Sequence, residues 1–324
     1  MGPEPGDLSA RASPEPSREG VVAVPWVHPK FPFLLAVLAL PACARAPARG
    51  AIVRLDDWGG TVALAAPARR IVSLAPATTE LVFALGLGDR LVGRTRWCDY
   101  PPAALRVPDV GDGMNPNVEA VAARSPDLVL LYASPANRAA ADRLAALGIP
   151  VVALALDRAA DLRRDALLVG ALAGVTGVAD SLVAEFDSLR AEVAREASRR
   201  GGPRAKVYVD VWPDPPMTVG QGSYLQEEVE AAGGLNVFDD VRSSSATVSI
   251  EAIAQRDPDV ILELRTDTTQ TPDLASRPGW RAVRAAREGR ILVLDGTLYG
   301  RPTLRMPLAE RDLAPRLARF VPPR

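Results

Sequence analysis

From residue 51 onward the chain alternates between two kinds of apolar pattern. Continuous apolar runs bounded by turn residues, at 71–74, 91–92, 128–131 and 260–262 and within LGIPVVAL, AKVYVDV and GRILVLD, have the character of strands buried on both faces of a parallel sheet. Between them lie stretches whose apolar positions fall at helical spacing. RRIVSLAPATTELVFALGLG predicts a strand, a Pro-containing turn, and a helix opened by Thr78 or Thr79 and stopped near Gly86. SYLQEEVEAAGG predicts a helix with a capping-box pair at Ser223 and Gln226 and a stop at Gly233. AIVRLDDWGGTVAL predicts a hairpin around Gly59 and Gly60, WPDPPMTVGQG a loop, and RPTLRMPLAERDLAPRLARF a closing helix interrupted at Pro307 and Pro315.

One phrase occurs twice: NVEAVAARSPDLVLLY at 117–132 and SIEAIAQRDPDVILEL at 249–264. Each copy starts with a residue able to cap a helix, Asn117 or Ser249, and carries a glutamate in the first turn, Glu119 or Glu251. RSPD or RDPD then stops the helix, because proline cannot continue it, and an apolar strand follows. The spacing is too long for a solenoid repeat and points to two similar lobes.

Residues 161–200 carry almost no strand signal, and 178–200 is a run of good helix formers with Leu182, Phe186, Leu189 and Val193 at helical spacing. A helix of about 23 residues reaches about 35 Å, enough to brace two lobes as a stiff strut; packing inside one domain is the alternative. The expected fold class is α/β: two similar lobes with central, mainly parallel sheets wound with helices and joined by a long rigid backbone helix. The expected divisions are a disordered leader and signal peptide at 1–42, an N-terminal lobe at 43–156, a helical connector at 157–201 and a C-terminal lobe at 202–324. A clamp of this build opens only slightly.

Composition narrows the class. The chain has 324 residues, is 48% hydrophobic and carries a net charge of −1, which suits about two globular domains. Its basic residues are spread rather than clustered, so no footprint for nucleic acid is present. FPFLLAVLALPAC is too short to span a bilayer and right for a signal-peptide core. It ends at Cys43 in a lipobox-like Leu-Pro-Ala-Cys, although Pro41 is unusual there. Three readings stand: a lipoprotein anchored through Cys43, a plain cleaved signal peptide, or a buried helix. The first two place the protein outside the cytoplasm, and lipidation would leave Cys98 as a lone thiol.

Catalytic signals are sparse. His28, the only histidine, falls in the leader, so the mature chain has no Ser–His or Cys–His pair, and it has no His/Cys set for zinc. There is no Walker loop, and GLGDRLVG lacks dinucleotide-fingerprint spacing. A carboxylate-only or metal-dependent enzyme stays open as a rival. Aromatic placement stands out instead, because Trp97, Tyr100, Tyr132, Trp212, Tyr224 and Tyr299 sit in or beside predicted loops near strand ends, where wound sheets bind ligands. Ordinary packing is the alternative for each ring. A flat apolar ligand held between three such rings would gain about 10 kcal/mol gross before association costs.

The chain resembles the substrate-binding proteins of ABC importers, in the helical-backbone class that carries cobalamin, siderophores or haem. The marks are LDDWGGTVAL, RRIVSLAPATTELVFALG, VGRTRWCDYPP, GMNPNVEAVAARSPDLVLLY and SIEAIAQRDPDVIL, in that order. CDYPP after an aromatic is similar to the vitamin B12-binding branch, in which Trp97 and Tyr132 match pocket aromatics. Around Gly111 and Ser245 that branch can carry tryptophans and this chain does not. The resemblance implies a monomeric, non-enzymatic receptor with no cofactor or metal of its own, outside the cytoplasm, that hands a corrinoid to a permease and its ATPase. It implies a ligand site drawn from Trp97, Tyr100, Tyr132, Trp212, Tyr299, Arg96 and Arg301, and permease docking through Glu119 and Glu251. Ferric siderophore or haem is the alternative cargo. A siderophore would favour Arg94, Arg96, Arg301 and Arg305 in the cleft, and haem would need a tyrosine ligand.

Overall fold

The computed structural model describes residues 51–321; the leader, His28 and Cys43 lie outside the described residues. The hairpin forms as expected, from β1 (Ile52–Leu55) and β2 (Thr61–Leu64), antiparallel, with Gly59 at φ 75° in the turn. A wound unit follows: β3 (Ile71–Ser73), α1 (Pro76–Ala84), β4 (Leu91–Arg94), α2 (Val118–Ala122), β5 (Leu128–Tyr132), α3 (Arg138–Ala146) and β6 (Val151–Leu154). Its strands form one parallel sheet in the order β4-β3-β5-β6. Along β5 the residues alternate between two cores, Leu128 and Leu130 on one face and Val129 and Leu131 on the other. That double burial is why the run is continuously apolar.

Two long helices come next, α4 (Ala159–Ala173) and α5 (Thr176–Arg200), separated by Gly174 in the left-handed region at φ 72°. With its 25 residues, α5 reaches about 37 Å. Ala179, Val183 and Phe186 belong to the N-terminal core. Further along, Arg190 and Glu192 pair with Glu310 and Arg311 of the C-terminal lobe. One helix therefore braces both lobes.

The second wound unit runs through β7 (Ala205–Asp210), β8 (Trp212–Pro213), β9 (Pro216–Val219), α6 (Tyr224–Ala231), β10 (Gly234–Asn236), β11 (Ser245–Thr247), α7 (Ile250–Arg256), β12 (Val260–Arg265), α8 (Arg284–Arg287), β13 (Ile291–Asp295) and α9 (Met306–Leu317). Its parallel sheet has the order β10-β7-β12-β13.

The duplicated phrase has a duplicated structure. Asn117 Oδ1 accepts from the Ala120 amide at 2.9 Å, and Ser249 Oγ from the Ala252 amide at 3.2 Å. Ser125 and Asp257, each two residues ahead of the motif's aspartate, both sit in the left-handed region at φ 46°. The aspartates then pin the first strand of their own lobe. Asp127 accepts from the Arg69 and Arg70 amides at 2.8 and 2.9 Å, and Asp259 from the Lys206 amide at 2.9 Å.

Four local expectations are corrected. Helix α1 starts at Pro76, whose fixed φ suits the first turn, while Thr78 and Thr79 bond to the Ser73 hydroxyl inside the lobe. Ser223 caps α6 through the Leu225 amide, but Gln226 bonds to Glu230 and Asn236, so no capping box closes. WPDPPMTVGQG is not a bare loop: β8 and β9 form an antiparallel hairpin within it, joined by β11. Pro307 falls in the first turn of α9, where its missing N–H costs nothing, and the helix carries on through Pro315.

Candidate functional site

A cavity of about 600 Å³ opens between the lobes. The N-terminal lobe lines it with Leu74 ahead of α1 and Pro76 at its first position, Trp97 and Thr95 after β4, Met114, and Tyr132 at the end of β5. From the other lobe come Tyr224 at the start of α6 and the turn Gly300 to Pro302. The lining is overwhelmingly apolar, and its volume suits one small-molecule ligand. Gly113 is required in this wall, because a Cβ there would overlap the carbonyl oxygen of Leu74.

Polar groups are few, and most are already committed. The Tyr132 hydroxyl donates to Asp157 Oδ1 at 2.8 Å, and burial together with that carboxylate pushes the phenol up to about 12. Asp112 lies beneath Trp97, whose indole N–H is 3.4 Å away, and the Met114 amide holds its carboxyl below the usual range. Arg301 is the one arginine in the lining, and it pairs with Asp99 at 2.6 Å and Glu80 at 3.4 Å. The Tyr224 amide donates to the Asp157 carbonyl at 2.7 Å, which ties α6 to the end of β6.

Of the residues singled out in the sequence, Trp97, Tyr132, Tyr224 and Arg301 converge on this cavity. Four do not. Tyr100 lines a separate cavity of about 280 Å³, where Arg305 stacks over its ring at 4.0 Å. Arg96 is exposed and outside the lining. Trp212 is 59% exposed on the β8–β9 hairpin, its indole N–H turned to the Asp214 carbonyl. Tyr299 is 1% exposed: the chain folds back after β13, so its ring joins the C-terminal core and its hydroxyl bonds to Asp312. Of the other arginines considered, Arg94 is buried against the Ala104 and Thr95 carbonyls and Arg305 is paired with Glu80. Sequence reasoning misses Asp112, Asp157 and Met114. Asp157 follows β6, so the strand-end rule alone is enough to mark it.

Glu119 and Glu251 are exposed in the first turns of α2 and α7, one on each lobe. Cys98 is a buried free thiol 3.1 Å from the Thr95 hydroxyl. Among the described residues no helix is long and apolar enough to cross a membrane, and no cluster of three or more His, Cys, Asp or Glu could hold a metal ion.

Comparison with known proteins agrees with this architecture. The family described as periplasmic binding protein matches residues 71–298. An uncharacterized ABC transporter substrate-binding lipoprotein of Bacillus subtilis, YvrC, is 31% identical over 81% of this chain and 84% of its own length. A vitamin B12-binding protein of Yersinia pestis is 33% identical over 60% of this chain and 69% of its own. Among solved structures, the periplasmic vitamin B12-binding protein BtuF of Vibrio cholerae superposes with a TM-score of 0.66 at 24% identity, covering 77% of this chain and 98% of that one. This chain is a member of the periplasmic binding protein family, in the class of ABC transporter substrate-binding proteins.

Proposed function

We propose that the protein is an extracytoplasmic receptor that holds a corrinoid between its lobes and delivers it unchanged to an ABC permease and ATPase, anchored to the membrane by lipid at Cys43. The observation that carries the choice of ligand is the state of the arginines. Arg301, Arg305 and Arg94 are engaged within the protein and Arg96 stands exposed outside the lining, leaving aromatic walls and two carboxylates, Asp112 and Asp157. A polyanionic ferric siderophore calls for free guanidinium groups, and an uncharged amide-bearing macrocycle does not. Haem held by tyrosinate is disfavoured by the same geometry, since Tyr132 keeps its proton against Asp157. Glu119 and Glu251, one per lobe, are read as the permease contacts.

The test is equilibrium dialysis of the mature protein against cyanocobalamin, haemin and a ferric siderophore, with spectra of the recovered ligands. Saturable binding of cyanocobalamin alone, recovered intact, is expected. Preference for either iron ligand would move the cargo, and a chemically altered ligand would make the protein an enzyme.

A further inference from the structure

We propose that Asp157 sets specificity inside the cavity, selecting corrinoids whose side groups are carboxamides and rejecting ligands that bring a carboxylate to the same place; this deepens the corrinoid reading and rests on it. Asp157 lies just past β6 and lines the cavity. Its Oδ1 is fixed by the Tyr132 hydroxyl at 2.8 Å, and no donor among the described residues bonds to its Oδ2. The positive charge near the site comes from Arg158 beside Asp157 and Arg96 near Asp112, and the carboxylates outnumber it. Burial, and after it Asp161 and Asp57 nearby, push the Asp157 carboxyl upward, with the Tyr132 hydroxyl and Arg158 opposing them. Asp112 faces the cavity from the loop after β4, and the lining arginine, Arg301, is closed off by Glu80 and Asp99.

A carboxamide N–H placed against Oδ2 makes a charge-assisted hydrogen bond in a half-buried setting. A carboxylate there meets a like charge that Arg158 offsets only in part, and it leaves both groups poorly solvated. Tyr132 cannot rescue it by turning, because its hydroxyl already donates to Oδ1. The two ligand types differ by one functional group, so discrimination comes from chemistry rather than size.

The experiment titrates the full mature protein with cyanocobalamin and with the separated isomers of its monocarboxylic acid at about pH 7.5, for the wild type and Asp157→Asn, with an unfolding transition recorded for each. At least one isomer should bind tenfold or more weakly than the amide to the wild type, and that ratio should fall to about threefold or less in the variant. Equal affinity for every isomer, or a ratio that survives Asp157→Asn, overturns the proposal while leaving corrinoid binding intact. If no corrinoid binds, the ligand reading falls, and the charge rule is decided with rhodamine 6G as a cationic probe and anilinonaphthalene sulfonate as an anionic one. Cation preference lost in Asp157→Asn upholds the rule; anion preference, or binding of neither dye, overturns it.

Discussion

Arg305 meets Glu80 in a bidentate pair, Nε to Oε2 at 2.7 Å and a terminal nitrogen to Oε1 at 2.9 Å, and so joins the segment leading into α9 to helix α1 of the opposite lobe. Both partners are largely shielded, and Arg301 shares the same carboxylate. A charge stranded by removing one partner of such a pair costs about 3–5 kcal/mol, while an apolar replacement of both is often close to neutral. Because Arg301 stays on the same carboxylate, Arg305→Ala should lower the urea-unfolding free energy by less than that, about 1–3 kcal/mol. Glu80→Leu combined with Arg305→Met should lower it far less than the two single changes added together, as a double-mutant cycle will read.

The aromatic walls should not contribute equally. Trp97 lines the main cavity, and Trp212 stands outside it on the hairpin. Calorimetric titration with cyanocobalamin should show Trp97→Ala weakening binding about 10- to 100-fold, in the range of a lost aromatic anchor. Trp212→Ala should change it by less than about threefold.

A buried acidic group behind the cavity makes stability depend on pH. Glu228 on α6 has no hydrogen-bond partner for either oxygen, and Glu310 on α9 keeps one oxygen unpartnered while Arg190 holds the other at 2.8 Å. Burial raises both carboxyls, Glu228 well above its ordinary value and Glu310 to about 7, and for Glu310 it outweighs the arginine. A raised folded-state pKa means the native state holds protons that the unfolded state has released, so stability is greatest in acid and is lost as pH rises through the folded pKa. The melting temperature should fall from about pH 5 to about pH 8. Glu228→Gln, permanently neutral, should flatten that fall and melt higher than wild type at the alkaline end.

Glu119 and Glu251 are exposed and outside the cavity lining, so their joint replacement separates capture from delivery. With both changed to alanine, cyanocobalamin affinity should stay within about twofold while uptake by cells carrying the permease falls sharply. A tenfold loss of affinity would contradict that division.

The repeated phrase is legible in the chain because its cap and its left-handed turn act locally, whereas the reach of its aspartate to Arg70 or Lys206, 57 and 53 residues back, shows only in the fold. The strut is legible for the same reason, since helix propensity and spacing act within a few turns. The site is harder to read. Trp97 and Tyr132 follow from the strand-end rule, but that rule says nothing about which way a side chain turns, and Tyr299 turns inward where the chain doubles back toward Asp295. The Glu80 to Arg305 latch and the Tyr224 to Asp157 tie depend on how the lobes meet, which no local pattern encodes. The β8–β9 hairpin is masked by its prolines, which occupy positions tolerated only in such short, irregular strands.

Whether the cavity between the two braced lobes holds a corrinoid is decided by a crystal structure of the protein grown with excess cyanocobalamin. The macrocycle should lie against Trp97 and Tyr132, with the Glu80 to Arg305 pair intact. Ligand density away from that cavity, or an unliganded cavity at saturating concentration, would contradict that placement.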